Sequence, residues 1–186
     1  MSEINSGIGV EGIVTANLYD TDTLRKEYSN WDKMSRSEKY NATKNIEPVE
    51  TDTVYNVTTV AMHEYFVDNL NPNNTNAEAN VSATWIALGT GGPSPDDNTQ
   101  ADLNNRQYSE EADSIADNND ELIVSAFLEA GTGNGNDFNE IGIFTGDPDN
   151  LSNADVFKLN HATFSAISKD STQTLTFDVS LIFQDV

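Results

Sequence analysis

The sequence predicts a mainly β protein, a β-sandwich or jelly-roll-like fold with one short helix at about residues 57–70. Two observations lead to this fold class. Apolar side chains recur at every second position in several short segments, which is the period of a strand that buries one face. Clusters of Gly, Pro, Asn and Asp separate these segments, as in proteins built from many short strands joined by turns.

In the first part of the chain, residues 8–20 predict a strand because apolar or small side chains fall on one side of it. The Asp- and Thr-rich residues that follow predict a turn. Residues 24–31 then predict a returning strand, which would complete a hairpin. Residues 32–50 are polar and charged and predict a loop or short helix. Residues 57–70 carry a single apolar stripe, which predicts the helix.

From residue 80 onward the pattern is that of strands alone. The predicted strands are 81–88, 106–116, 122–128, 138–144, 156–167 and 175–183. We therefore expect residues 1–79 to form an N-terminal hairpin, a basic loop and a helix, and residues 80–186 to form the β-sandwich. The two parts should pack as one compact unit, because 186 residues suit a single domain.

The charge of the chain is extreme, with 31 acidic residues against 9 basic ones and a net charge of -22 at pH 7. In dilute salt such a surface repels itself and opposes compaction. In about 1 M salt the Debye length falls to about 3 Å, and that repulsion is largely screened. The composition therefore predicts a halophilic protein; an acidic protein of a mesophile is the alternative. Nucleic acid is disfavoured as a partner, since phosphate contacts need Lys and Arg.

The basic residues are concentrated in one segment, residues 25–44, whose net charge is +3. That segment holds six of the nine basic residues, namely Arg25, Lys26, Lys33, Arg36, Lys39 and Lys44. A basic patch on an acidic chain predicts contact with an acidic partner. A solvated loop with incidental charges is the alternative.

Several classes of protein are disfavoured by what the sequence lacks. Cysteine is absent, which excludes a disulfide framework and a thiol nucleophile. No run of 18 apolar residues predicts a membrane span, so no membrane insertion is expected. The first residues lack the basic and apolar stretches of a secretory signal. We expect synthesis and folding in the cytoplasm.

Catalytic chemistry finds little support in the sequence. Only two histidines occur, His63 and His161, and there is no nucleophile elbow of the G-x-S-x-G type. The glycine-rich residues 89–92 lack the Lys-Ser/Thr ending of a P-loop and are followed by Pro-Ser-Pro, so they predict a tight turn. We expect the protein not to be an enzyme. A hydrolase on the same fold is a further alternative.

One loop offers oxygen atoms at nearly the spacing of a calcium loop: Asp147, Asp149 and Ser152. The match is incomplete, because Leu151 stands at the fifth position and Ser152 stands where glycine belongs. We expect no dedicated cofactor, only non-specific association of Na⁺, K⁺, Mg²⁺ or Ca²⁺ with clustered acids.

The order of several motifs resembles a known family. The segment Trp85-Ile-Ala-Leu-Gly-Thr-Gly91 precedes Pro93 to Thr99 and then Leu103, Asn104 and Arg106. The block Asn139-Glu-Ile-Gly-Ile-Phe144 then precedes Leu159 to Lys169 and a Thr-rich stretch that starts at Thr172. Together these resemble a widespread family of small structural proteins of tailed phages and prophages. Residues 107–117 and 32–55 depart from that pattern.

The resemblance implies a virion structural protein: a head decoration, a turret at a capsid vertex, or a tail or baseplate component. With the halophilic composition, the implied source is a tailed virus of a haloarchaeon, and the implied location is the virion. We expect a capsid-surface turret or decoration subunit that forms homo-oligomers and contacts the major capsid protein or tail proteins. The alternatives are a tail or baseplate component and a receptor- or carbohydrate-binding module. The latter would use the loops 89–105 and 131–137 to contact the host cell surface.

Overall fold

The computed structural model describes residues 8–58, 62, 83–91, 100–118, 120–153 and 155–185. Nine strands and two short helices lie in these ranges, so the predicted mainly β fold class is confirmed. The strands are β1 Ile8–Asp20, β2 Glu50–Thr58, β3 Trp85–Gly89, β4 Arg106–Glu111, β5 Ser114–Asn118, β6 Glu121–Leu128, β7 Asn136–Phe144, β8 Lys158–Lys169 and β9 Gln173–Asp185. The helices are α1 Thr21–Glu27 and α2 Arg36–Thr43.

All strand pairs are antiparallel, in the order β4-β3-β7-β8-β2-β1-β9-β6-β5. This order folds into two sheets, because β2 pairs with β1 through Asn56 and with β8 from Val57 onward. At the opposite margin, β4 pairs in one sheet and β5 in the other. The chain changes sheets between them, where Ala112 N–H donates to Thr84 and Asp113 N–H donates to Ser125. The chain therefore joins the two sheets at both margins of the sandwich.

The main core lies between the sheets and follows the alternation seen in the sequence. In β9, for example, Leu175, Phe177, Val179 and Leu181 are buried in it. The core combines these with side chains from β1, such as Val14 and Leu18, and from β3, β6, β7 and β8. Burying one face of each strand in this way is what stabilises a sandwich of two sheets.

Two smaller apolar clusters cover the outer faces of the sandwich. On the sheet that contains β1, Leu24, Trp31 and Tyr40 from the α1–α2 segment pack on Tyr19 and Phe127. On the other sheet, Leu103 and Leu151 pack with Ala87, Phe144 and Trp85. Each cluster fixes a connection to a rigid sheet, so the long connections carry buried side chains of their own.

The predicted hairpin is wrong, because residues 24–31 do not form a strand. Asp20 is the N-cap of α1 and accepts a hydrogen bond from Thr23 N at 2.7 Å, so the chain enters a helix where a turn was predicted. Within the predicted loop or short helix, Ser35 and Glu38 form a capping box that begins α2. The partners of β1 are β2 and β9.

The predicted helix at 57–70 falls mostly outside the described residues. Its first two residues are not helical, because β2 continues through Thr58. Met62 is helical and 2% exposed. The helix at residues 21–27 was not predicted, whereas the helix at 36–43 lies within the stretch predicted as a loop or short helix.

Candidate functional site

The most highly organised polar cluster in the described chain surrounds Glu140 of β7, which is fully buried. Its Oε1 accepts hydrogen bonds from the backbone N–H groups of Gly91 and Asn105, at 2.9 and 2.8 Å. Its Oε2 accepts from the backbone N–H of Asn104 at 3.0 Å and lies 3.1 Å from Nε2 of His161. The carboxylate therefore binds both ends of the connection between β3 and β4, through Oε1 at both ends and through Oε2 at the second.

Two glycines are required for the carboxylate to sit there. A Cβ on Gly89 would lie 2.3 Å from Oε1 of Glu140, and a Cβ on Gly91 would lie 2.5 Å from the same atom. Any larger residue would displace the carboxylate or the backbone of Asn105. The glycine-rich motif after β3 therefore makes room for a buried carboxylate, which refines the predicted tight turn.

Glu140 is held in its charged form. Burial opposes the charge, but the hydrogen bonds from His161 and from three backbone N–H groups outweigh it, so the pKa of Glu140 is lowered. His161 is 1% exposed, and its Nδ1 has no hydrogen-bond partner in the described part of the chain. Because the carboxylate already accepts four hydrogen bonds, it fastens the connection between β3 and β4.

The motif residues that carried the resemblance meet at this cluster. Gly89 and Gly91 come from the first block, Asn104 from the segment after it, and Glu140 and His161 from the later blocks. Nothing in the sequence predicted Glu140 as a site residue. The signal that could have found it is the pairing of a G-x-G turn with a glutamate on a strand that is otherwise apolar.

A second buried ion fastens the connection between β6 and β7, on the same end of the sandwich. Lys169 is 2% exposed, and its Nζ donates to Oδ1 of Asn134 at 2.9 Å, with the Ala130 and Asp170 carbonyl oxygens each at 3.5 Å. Burial lowers the pKa of Lys169 to about 8. The loops 89–105 and 131–137, predicted as binding edges, thus both have ends fixed by buried ions; residues 92–99 lie outside the described ranges.

The six basic residues of the segment 25–44 divide into two groups. Arg36 is partly exposed, with 41% of its side chain accessible, and its hydrogen bonds lie within the chain. Its guanidinium donates to Asp113 at 2.8 and 2.9 Å, to Glu110 at 2.5 Å and to the Phe127 carbonyl at 2.6 Å. Lys39 is 8% exposed and its Nζ lies 2.7 Å from Glu129. These two cations tie α2 to the sheet, and their contact with an acidic partner stays a prediction.

The other four residues of that group are exposed: Arg25, Lys26, Lys33 and Lys44. Arg25 pairs with Asp32 at 3.1 Å and Asp22 at 3.5 Å, at the surface. Lys44 Nζ lies 4.4 Å from the centroid of the Tyr40 ring. The remaining basic residues of the chain, Arg106, Lys158 and Lys169, are half-buried or buried. All nine basic residues lie in described ranges, so every exposed one belongs to the segment 25–44.

The candidate cation ligands have other partners. Asp149 accepts a hydrogen bond from Nη1 of Arg106 at 2.8 Å. Asp147 caps the short 3₁₀ turn at Pro148–Asn150 by accepting from Asp149 N at 3.0 Å, and Ser152 is exposed. Among the described residues, no three His, Cys, Asp or Glu side chains are grouped to hold a metal ion.

Comparisons with protein families, with curated proteins and with solved structures found no match to this chain. Within the described ranges, no helix has the length and apolar character that crossing a membrane requires.

Proposed function

We propose that this chain is a structural subunit of a virus particle that works in concentrated salt, most specifically a capsid-surface turret or decoration of a haloarchaeal tailed virus. One observation carries the proposal: the four exposed cations all lie in the α1–α2 segment of a chain whose net charge is -22. The other five basic residues are buried or partly buried and donate hydrogen bonds to other groups of the chain. The exposed basic residues are therefore confined to one region, as expected of a contact with an acidic neighbour.

High salt restricts what such a contact can be. At about 1 M salt, charges attract over only about 3 Å, so long-range steering is lost and only direct ion pairs act. The α1–α2 segment suits direct contact, because Trp31, Leu24 and Tyr40 pack its backbone onto the sheet. The clusters around Glu140 and Lys169 support the same function, since both fasten loops.

The test replaces exposed lysines and leaves the internal cations intact. The variant Lys26→Gln, Lys33→Gln and Lys44→Gln should lose incorporation into virus particles, measured as the amount of subunit per purified particle. Arg36 and Lys39 stay unchanged, because altering them would disturb folding. The matched control Ser152→Asp, Ala166→Glu and Ser171→Asp makes the same change in net charge at exposed positions elsewhere, and should incorporate normally.

Normal incorporation of the lysine variant would overturn the proposed contact, and absence of the unaltered protein from particles would overturn the proposed function. Electron microscopy of the purified protein in KCl then distinguishes a turret or decoration subunit from a tail component. Fivefold or threefold assemblies support a turret or decoration, whereas rings coaxial with a tail would replace that role by a tail role. A protein that stays monomeric would contradict the homo-oligomer.

A further inference from the structure

A cavity of about 480 Å³ lies between α2 and the outer face of the sheet that contains β1. Its floor is formed by strands β1, β6 and β9, and its roof by the C-terminal part of α2 and the residues that follow. Residues that define it are Tyr19, Tyr40, Lys44, Ile46, Ile123 and Asp178. This volume lies within the range of small-molecule sites, about 300–1,000 Å³. Most of the side chains around it carry polar groups, and Ile46, Pro48 and Ile123 are the apolar ones.

The polar groups in the cavity favour positive charge. Oδ1 of Asp178 accepts hydrogen bonds from the hydroxyls of Tyr40 and Ser125, the latter at 2.6 Å, so both bonds fall on one oxygen. The other oxygen, Oδ2, has no hydrogen bond among the described residues. The C-terminal end of α2, which carries partial negative charge, meets the cavity at Thr43.

A cation already occupies the aromatic wall. Lys44 is exposed, and its Nζ stands 4.4 Å from the centroid of the Tyr40 ring. This ring face therefore has the geometry that attracts an ammonium group. Because Lys44 is a flexible surface side chain, it can leave the ring without disturbing the fold.

An anion fits less well, because it would meet Asp178 and the end of α2. We propose that this cavity binds a small organic cation, with Asp178 as its counter-ion and Lys44 as an internal competitor for the Tyr40 ring. This inference does not depend on the proposed function.

Choline is a suitable probe, titrated into the purified protein at fixed KCl concentration and followed by calorimetry. Binding should be saturable. Asp178→Asn should weaken it by about tenfold, the scale of one lost ion pair in a partly desolvated site. The asparagine Oδ1 can still accept from Tyr40 and Ser125, and thermal unfolding checks that the fold is kept. Lys44→Met should instead strengthen binding, because the competing ammonium is gone.

Two comparisons make the test decisive. Asp117→Asn removes one negative charge from an exposed position on β5 and should leave choline affinity unchanged. The uncharged analogue 3,3-dimethylbutanol has the shape of choline and should bind more weakly. The inference is overturned if neither the unaltered protein nor Lys44→Met binds choline saturably, if Asp178→Asn binds as well as the unaltered protein, or if the analogue binds equally tightly.

Discussion

At the scale of single residues, the glycine-rich motif after β3 and several residues of the later motifs surround one buried carboxylate, that of Glu140. Gly89 and Gly91 leave space for Glu140, and hydrogen bonds from three backbone N–H groups and His161 stabilise its charge. A carboxylate that accepts several such bonds is stabilised as an anion even when buried. The absence of side chains at two positions is therefore as important to this cluster as the charge itself.

The glycine requirement gives a direct prediction. Gly91→Ala should lower the free energy of unfolding by about 1–3 kcal/mol, the usual cost of forcing an extra methyl group into a packed site. The inserted Cβ would lie 2.5 Å from Oε1 of Glu140 and 2.9 Å from the backbone nitrogen of Asn105. Denaturant unfolding at fixed salt measures the change.

Gly131→Ala is the matched control, because no atom lies within 4 Å of the position of its Cβ. It should change stability by less than about 0.5 kcal/mol, as surface substitutions usually do. Equal stability of the two variants would contradict the role assigned to Gly91.

At the scale of elements, the strands were predictable and the connections were not. The alternation over residues 175–183 and 122–128 located β9 and β6 to within two residues at each end. The stretch 106–116 was predicted as one strand, yet it forms β4 and most of β5. The change of sheet at Ala112 and Asp113 could not be found from a local pattern, because it is defined by hydrogen bonds to Thr84 and Ser125, which are distant in sequence.

For the segment after β1, the local sequence signals fit two different structures. Asp20 and the residues after it favour both a turn and a helix N-cap, and the sequence alone does not decide between them. The decision comes from packing: Leu24 and Trp31 are buried against Phe127, which lies 103 and 96 positions further along the chain. The buried roles of Glu140 and Lys169 also depend on partners distant in sequence, so no local pattern could predict them.

Lys169 gives a prediction for the loop between β6 and β7. Its pKa is about 8 in the folded chain, and about 10.4 is usual for an exposed lysine. Between these values the unfolded chain binds more protons, so the contribution of Lys169 to the free energy of unfolding rises with pH, by up to about 1.4 kcal/mol per pH unit. The stability difference between the unaltered protein and Lys169→Met should therefore widen in favour of the unaltered protein from pH 8 to pH 9.5.

Unfolding in denaturant at pH 7.5, 8.5 and 9.5 measures this difference. Lys33→Met removes an exposed lysine and should show a difference that does not vary with pH. The assignment of Lys169 as a buried, desolvated ammonium fails if both variants behave alike.

At the scale of the whole molecule, the arrangement of charge is the dominant feature. Five of the nine basic residues are used internally, so the surface is more one-sided in charge than the composition alone suggests. The count of charges could be read from the sequence, but their division into internal and exposed groups could not. Arg36 and Lys33 look alike in the sequence, and only the partners Asp113 and Glu110 distinguish them.

Self-repulsion of this surface leads to a prediction about salt. The melting temperature should rise by about 10 °C between 0.1 and 2 M KCl, the shift that roughly 3 kcal/mol gives a chain of this size. Thermal unfolding followed by circular dichroism measures it. Sucrose stabilises by exclusion from the surface and screens no charge, so it is the control. An equal rise in sucrose of matched osmolality, or no rise in KCl, would contradict a halophilic adaptation.

The two crossings of the chain between the sheets have a mechanical consequence. A sandwich whose sheets share only side-chain contacts can yield by sliding one sheet over the other. Here β2 and the stretch from β4 to β5 tether opposite margins covalently, so a load along the strands cannot shift the sheets without also tearing strand pairing at both margins. Such a subunit should resist tension as a single body and fail abruptly, with one unfolding peak under a pulling force.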